Sequence, residues 1–298
     1  MDTVNKIQFE KPDIHELNRA YTVADLHFHT HYSDGVNSVH DIARQAEALG
    51  IGIAITDHND IQGAVEIDKC KRILSIPGIE ITSREGSHLL VYFYDVPSLK
   101  AFYREDLKPY MGNGVMSSTL LEMEDIIRRA RRFKTVIMFP HPYCAAYTGV
   151  CNLQFPKERL ERLFHMADGV EVINAGNINK WNLQCAVLGF NLGKGIVGGS
   201  DGHSLPHMGR ALTYAECNRT RKGLLDAIRK KQTKVIGKEM PFIRKVTSNS
   251  RKLKKNLRHY PDLMEKNLRY GCTLINAKSR TFRDNVMRSI NERLEKVG

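Results

Sequence analysis

The sequence predicts an α/β fold, a parallel sheet or barrel with helices packed outside it. Three observations predict it. Short apolar runs of strand length recur along the 298 residues. Helix-periodic segments lie between many of them. Each run ends in a cluster of polar and ionisable residues, which is where parallel α/β folds carry their chemistry.

The runs are VADLHFH (23–29), GIAITDH (52–58), ILSIPGIEI (73–81), HLLVYFY (88–94), TVIMFPH (135–141), GVEVINA (169–175) and GIVGGSD (195–201). They are rich in β-branched and aromatic residues, as strands are. Between the first two, SVHDIARQAEALG (38–50) spaces Val39, Ile42, Ala43, Ala46 and Leu49 by three and four. That is one face of a helix, with Ser38 suited to its N-cap and Gly50 to its C-cap. TLLEMEDIIRRARRF (119–133) and PKERLERLFHMAD (156–168) read the same way. A later strand ALTYAE (211–216), helix RKGLLDAIRKK (221–231) and strand TKVIGK (233–238) continue the pattern.

Beyond about Phe242 the character changes. Residues 243–298 hold 15 Lys and Arg against 5 Asp and Glu, so they carry +10 of the chain's +12. The body is therefore near neutral. RKLKKNLRHYPDLMEKNLRYG and SRTFRDNVMRSINERLEK read as helices, with Pro261 as a breaker. Two parts are expected: a barrel over 1–242 and a basic helical C-terminal extension over 243–298.

Composition narrows the class. An apolar fraction of 42% supports a real core and excludes disorder throughout. No apolar run approaches the ~18 residues of a membrane span, and no membrane partner is expected. The polar start MDTVNKIQFEKPD argues against a secretory signal. The six cysteines are scattered and form no CxxC pair, so reduced thiols and a cytoplasmic location are expected.

The run ends hold the chemistry. His27 and His29 close the first run at i, i+2 spacing, which puts both imidazoles on one side of an extended segment. Asp34 comes next, in a turn. His58 ends TDH, Glu80 lies in PGIEIT, His88 opens the next run, and His141 ends FPH. Asp201 and His203 share the i, i+2 spacing in GGSDGH. One strand-end histidine is ordinarily a hydrogen-bonded residue, and HxH alone is a weak signal. The weight lies in six histidines and three carboxylates falling on one rim. The other histidines, His15, His31, His40, His165, His207 and His259, take the structural reading, with His31 and His207 the nearest exceptions. Nine nitrogen and oxygen donors exceed what one tetrahedral ion takes and suit two or three ions. Histidine and carboxylate without thiolate favour Mn, Fe or Zn. Three divalent ions against three carboxylates would leave a pocket of about +3, a trap for phosphate.

These motifs, DLHFHTHYSDG, AITDHND, PGIEIT with His88 after it, FPHP and GGSDGHS, resemble in order the motif series of the PHP (polymerase and histidinol phosphatase) family, over roughly residues 20–240. The resemblance implies a distorted (βα)7 barrel holding a trinuclear metal centre. Carried over by position, one ion takes His27, His29, Glu80 and Asp201. A second shares a bridging Glu80 and adds His88 and His141. A third takes Asp34, His58 and His203. The chain is similar to the stand-alone phosphoesterase branch, which includes nucleotide phosphatases and a 5′-to-3′ exoribonuclease. There a metal-bound hydroxide attacks phosphorus, so no serine or cysteine nucleophile is required. That branch often carries an insertion between the His88 and His141 motifs. Here residues 95–134 hold one clear helix and the loop PYMGNGVMSS (109–118), which reads equally as a lid or as an ordinary crossover.

Further roles can be assigned by residue type. Asp25 and Asp57 are candidates to orient ligand imidazoles. Arg84, His207 and Arg210 are candidates to grip the substrate. In the basic extension, Tyr260, Tyr270 and Phe282 could stack on RNA bases. The reading preferred over this is that Leu253, Leu257, Leu263 and Leu268 anchor helices on the barrel with a basic face outward. The expected function is hydrolysis of a phosphorylated small molecule, a nucleotide or a short oligonucleotide. The alternatives are a nucleic-acid-binding protein with structural ions and, among enzymes, histidinol phosphatase.

Overall fold

The computed structural model describes residues 6–144, 148–153 and 155–240. The boundary expected near Phe242 and the helices expected over 243–298 lie outside them. A short strand β1 (Ile7–Gln8) and helix α1 (Ile14–Ala20) come first. Next come β2 (Thr22–Phe28), α2 (Val39–Leu49), β3 (Gly52–Ile55), α3 (Gln62–Ile67), β4 (Ser75–Thr82), β5 (His88–Phe93), α4 (Val96–Phe102), α5 (Met123–Ala130) and β6 (Thr135–Phe139). The order continues with α6 (Lys157–Met166), β7 (Gly169–Asn174), α7 (Asn179–Leu192), β8 (Gly195–Gly199), β9 (Ala211–Ala215), α8 (Arg221–Arg229) and β10 (Lys234–Gly237).

Local chemistry explains where the elements begin and end. The Ser38 hydroxyl accepts the Asp41 N–H, and Gly50 closes α2 at φ +69°, a conformation that suits glycine. α5 starts four residues later than its apolar pattern does. Thr119 spends both its N–H and its hydroxyl on the Thr82 carbonyl, at 2.9 and 3.0 Å, so the chain there serves as loop. α7 is announced by no amphipathic pattern. Its buried positions are Asn182, Cys185 and Gly189, while Leu183, Val187 and Phe190 stand exposed.

The strands β2, β3 and β4 pair in parallel, as do β6, β7 and β8. Between the two sets, β5 runs antiparallel to both neighbours. The cause is the connection: residues 83–87 are too few for the crossover that parallel strands need. The reversal matters, because it brings the first residue of β5, His88, to the end of the sheet where its neighbours finish. The sheet curls until the segment after β8 returns to β2. Phe28 bridges Gly202, and the His29 N–H donates to the Gly202 carbonyl at 2.9 Å. The result is a distorted (βα)7 barrel of strands β2 to β8. The late strands do not extend its parallel pattern. β9 lies antiparallel on β2, β10 antiparallel on β9, and β1 parallel on β10.

Two apolar clusters hold this together. One lies within the barrel: Ala24 and Leu26 of β2, Ile76 of β4, Leu90 and Tyr92 of β5, and Met138 of β6, with Leu224, Leu225 and Ile228 of α8 plugging the floor. The other fills the space between strands and helices and includes Phe28, Ile53, Ile79 and Phe139. Among the described residues no helix is long and apolar enough to cross a membrane.

Candidate metal centre

β2 shows how the strands aim their side chains. Ala24 and Leu26 belong to the inner cluster, so strict alternation would send Phe28 inward too. The pairing of β2 with β3 slips between Asp25 and Phe28. Such an irregularity re-aims the side chains beyond it. Phe28 joins the outer cluster, and His27 and His29, both fully buried, face the rim cavity instead. Gly199 of β8 lies against His27, and a Cβ there would collide with the His27 side chain. Two strand-end residues, His141 and Asp201, take φ of +30° and +48°. Non-glycine residues in that region are strained, and such strain collects at functional sites.

The structure brings all nine expected donors together. His29, Asp34, His58 and His203 offer ligand atoms within 4.8 Å of one another. So do three further sets: His27, His29 and Asp201; His27, Glu80 and His141; and His58, Glu80 and His88. Glu80 is the hub. Its Oε2 lies 3.3 Å from His27 Nε2, 3.4 Å from His29 Nε2 and 3.1 Å from His58 Nδ1. Its Oε1 lies 2.8 Å from His88 Nδ1 and 3.3 Å from His141 Nε2. Asp201 Oδ1 approaches His29 Nε2 at 3.2 Å, and Asp34 Oδ2 approaches His203 Nε2 at 2.9 Å.

The donor atoms fit divalent ions. His27 Nε2, both nitrogens of His29, His58 Nδ1, Glu80 Oε2 and His141 Nδ1 are buried and make no hydrogen bond. Buried polar atoms are normally satisfied, and a cluster of orphans calls for a further partner such as a metal ion. Charge agrees. Burial would raise the Glu80 carboxyl, but His88, His58 and His27 hold it well below the usual range. Burial would likewise raise Asp201, and His27, His29 and His203 hold it well below. Burial pushes the His58 imidazole down to about 3, so its charge acts on Glu80 only in acid, and at neutral pH it is in the neutral form that binds metal. The carboxylates thus draw positive charge to themselves, whether proton or metal ion.

The residues expected to orient these ligands have other partners. Buried Asp25 accepts from the backbone N–H groups of Ser200 at 2.9 Å and Gly209 at 3.0 Å, tying β2 to the loop after β8. Burial raises its carboxyl to about 6. Asp57 accepts from the Thr30 N–H and hydroxyl, each at 2.7 Å, and from the Ser33 hydroxyl at 2.5 Å. Both carboxylates hold loops in place, and their hydrogen bonds go to backbone and hydroxyl groups. The imidazole contact belongs to Glu171, which the sequence pattern does not single out. Its Oε1 lies 3.1 Å from His27 Nδ1, and its Oε2 accepts the His141 N–H at 2.9 Å and the Asn174 amide at 2.9 Å. One signal does exist: a lone acid between Val170 and Val172 in a strand that is apolar up to Asn174.

The substrate candidates separate. His207 is buried beside the centre, its Nδ1 3.4 Å from the His203 N–H. Arg210 Nε donates to the Pro206 carbonyl at 3.1 Å. Arg84 is turned away onto Glu122 at the surface. The 109–118 loop is fastened to the rim by Asn59, the neighbour of His58. The Asn59 amide donates to the Val115 and Ser117 carbonyls, each at 2.8 Å, and its oxygen accepts the Thr82 N–H at 3.0 Å.

Comparison with known proteins places this architecture. Residues 25–137 match the PHP domain, and residues 181–233 match the PHP-associated family. A protein of Methanocaldococcus jannaschii is 31% identical over 165 residues, covering 51% of this chain and 81% of that protein. Among solved structures, a Bacteroides vulgatus protein has a TM-score of 0.52 at 20% identity. It is described as a two-domain protein containing a predicted PHP-like metal-dependent phosphoesterase. The match covers 78% of this chain and 68% of that one. The lesion-specific endonuclease Q of Pyrococcus furiosus has a TM-score of 0.59 at 19% identity, with 72% of this chain and 57% of that one covered. The likeness to these solved structures is one of fold. With the matched domains and the archaeal relative, it follows that the chain belongs to the PHP family.

Proposed function

We propose that the chain is a divalent-metal-dependent phosphoesterase acting on nucleotides or oligonucleotides. The carrying observation is a buried, carboxylate-rich centre on a rim whose one turn cation, Arg84, is spent on Glu122. Residues 25–38, 52–63, 139–156, 169–179 and 195–209 contain no Lys or Arg, but they contain Asp25, Asp34, Asp57, Asp60, Glu171 and Asp201. Such a surface repels phosphate until bound cations reverse its sign.

Three ions, Mn, Fe or Zn, suit the donors: one at His27, His29, Glu80 and Asp201, one at Glu80, His88 and His141, and one at Asp34, His58 and His203. When bound they would supply Lewis acidity to a phosphoryl oxygen and an acidified water. The chain's own part is positional. Glu80 and Asp201 stay ionised, and Glu171 holds the His27 ring and the His141 backbone. The Asn59-fastened loop stands at the rim, where it can meet the organic part of a substrate. Among the described residues no contact singles out a general acid for the leaving group.

The basic segment 243–298 favours nucleic-acid substrates, and it suggests two probes. One is a 5′-phosphorylated RNA oligomer. The other is a DNA duplex with an abasic lesion, the substrate seen in an endonuclease Q complex. Each would be incubated with protein and Mn²⁺ beside nucleoside monophosphates and histidinol phosphate. Metal-dependent release from a nucleotide or oligonucleotide, absent in Asp201→Asn, is expected. Metal binding without hydrolysis of any of these esters would leave the nucleic-acid-binding reading in its place.

A further inference from the structure

Helix α7 presents an apolar face that nothing in the described residues covers. Leu183, Val187 and Phe190 are 53, 60 and 59% exposed and stand at i, i+4 and i+7, so they form one stripe. An apolar stripe of this size gains a meaning only from what lies close enough to cover it. The segment able to reach it is identified by where the described chain ends. The Met240 N–H donates to the Ala175 carbonyl at 2.8 Å. The Glu239 carboxylate accepts the Asn179 N–H, at the first residue of α7, at 3.1 Å. The chain therefore leaves for residues 241–298 at the very start of the helix that carries the stripe. Along that helix the stripe spans roughly 6 to 17 Å from Asn179. About five residues of extended chain cover such a distance.

The departing segment carries a matching face. In RKLKKNLRHY (251–260), Leu253, Leu257 and Tyr260 repeat the i, i+4, i+7 spacing, with Arg251, Lys252, Lys254, Lys255 and Arg258 at other positions. The exposed positions of α7 around the stripe are Asn179, Lys180, Gln184 and Asn191, without an acid, so charge does not draw the segment there. Apolar burial does. We infer that residues 251–260 cover α7, seating Leu253, Leu257 and Tyr260 against Leu183, Val187 and Phe190. The basic residues then face outward, beginning at the rim. The inference stands apart from the reaction proposed above, since it rests on the stripe, the exit point and the spacing.

The test is amide hydrogen exchange of the full-length chain, read by mass spectrometry, in the wild type, in Val187→Glu, and in Val187→Glu with Leu257→Lys. Peptides of β2 serve as the folding control. The segment 251–260 is expected to exchange about tenfold faster in Val187→Glu than in the wild type, as its contact is lost. The double variant is expected to recover only part of that protection, about two- to fivefold, because an exposed Glu–Lys pair replaces the apolar contact. Equal exchange in wild type and Val187→Glu would overturn the inference. So would faster exchange that Leu257→Lys leaves uncorrected. In that last case, a fall from dimer to monomer mass on Val187→Glu would identify a second copy of the chain as the true occupant.

Discussion

The two ends of the barrel handle charge in opposite ways. At the floor, cations are matched within the chain. Arg131 donates to Asp168 at 2.8 Å and to the Met166 carbonyl at 2.9 Å. Lys194 donates to the His165 and Ala167 carbonyls at 2.8 and 2.6 Å. Arg221 donates to the Ser75 carbonyl at 2.9 Å and pairs with Asp68. At the rim, His27 Nε2, both His29 nitrogens, His58 Nδ1, Glu80 Oε2 and His141 Nδ1 are buried without a hydrogen bond. Three non-glycine residues there, Asn59, His141 and Asp201, sit at positive φ, against Lys231 alone between α8 and β10 among the described residues. The floor is solved by the chain itself. The rim is left unsolved and strained, which a fold tolerates only where something else completes it.

The sharpest way to break this contrast is to remove a rim carboxylate. Asp201→Asn should lower metal-dependent hydrolysis by at least ~10²-fold, the scale on which loss of a transition-state electrostatic partner is felt. Circular dichroism should show the barrel intact, and full activity in this variant would remove Asp201 from the centre. Chelation should act next most strongly, and on stability. A bound ion stabilises by about 2.7 kcal/mol at a hundred times its dissociation constant. The melting temperature should therefore fall on dialysis against a chelator and recover with Mn²⁺. A melt indifferent to both would mean that the rim is not completed by metal.

Much of the rim is legible in the sequence, because its donors sit at strand ends inside short motifs with fixed spacing. His27 with His29 and Asp201 with His203 are each readable as pairs without a structure. The features that escape depend on longer-range geometry. The direction of β5 is set by a five-residue turn, and that turn alone puts His88 on the rim. The slip in β2 that turns Phe28 outward has no local signature. α7 escapes because it buries Asn182 and Gly189 and exposes Leu183, the reverse of the usual pattern. Asn59 escapes because its partners are backbone carbonyls more than fifty residues away.

Glu171 sharpens the contrast from behind the ligands. Its two oxygens serve His27 and the His141 backbone, and glutamine can accept through only one. Glu171→Gln should weaken metal binding by about 10–100-fold, the usual cost of losing an outer partner of a ligand. Calorimetric titration would measure it. Excess metal should restore hydrolysis, which separates a positioning residue from one that touches substrate. Unchanged affinity would show that the His27 ring is held without it.

The smallest effect belongs to the floor, and its sign comes from pH. Burial would raise the Asp68 carboxyl, but the Ser75 hydroxyl and Arg221 hold it below its usual value. A depressed carboxyl contributes stability above the unfolded pKa of about 4 and loses it as pH falls through the lower folded value. The pair stands partly in solvent, so Arg221→Met should cost only about 0.5–1 kcal/mol at pH 7. That difference should shrink at pH 3, as protonation of the carboxylate sets in. Denaturant unfolding at the two pH values would measure it. Metal affinity and hydrolysis should not move, since the floor's charges are balanced without reference to the rim. A penalty that grew in acid, or a loss of metal binding, would mean that the two ends of the barrel are coupled.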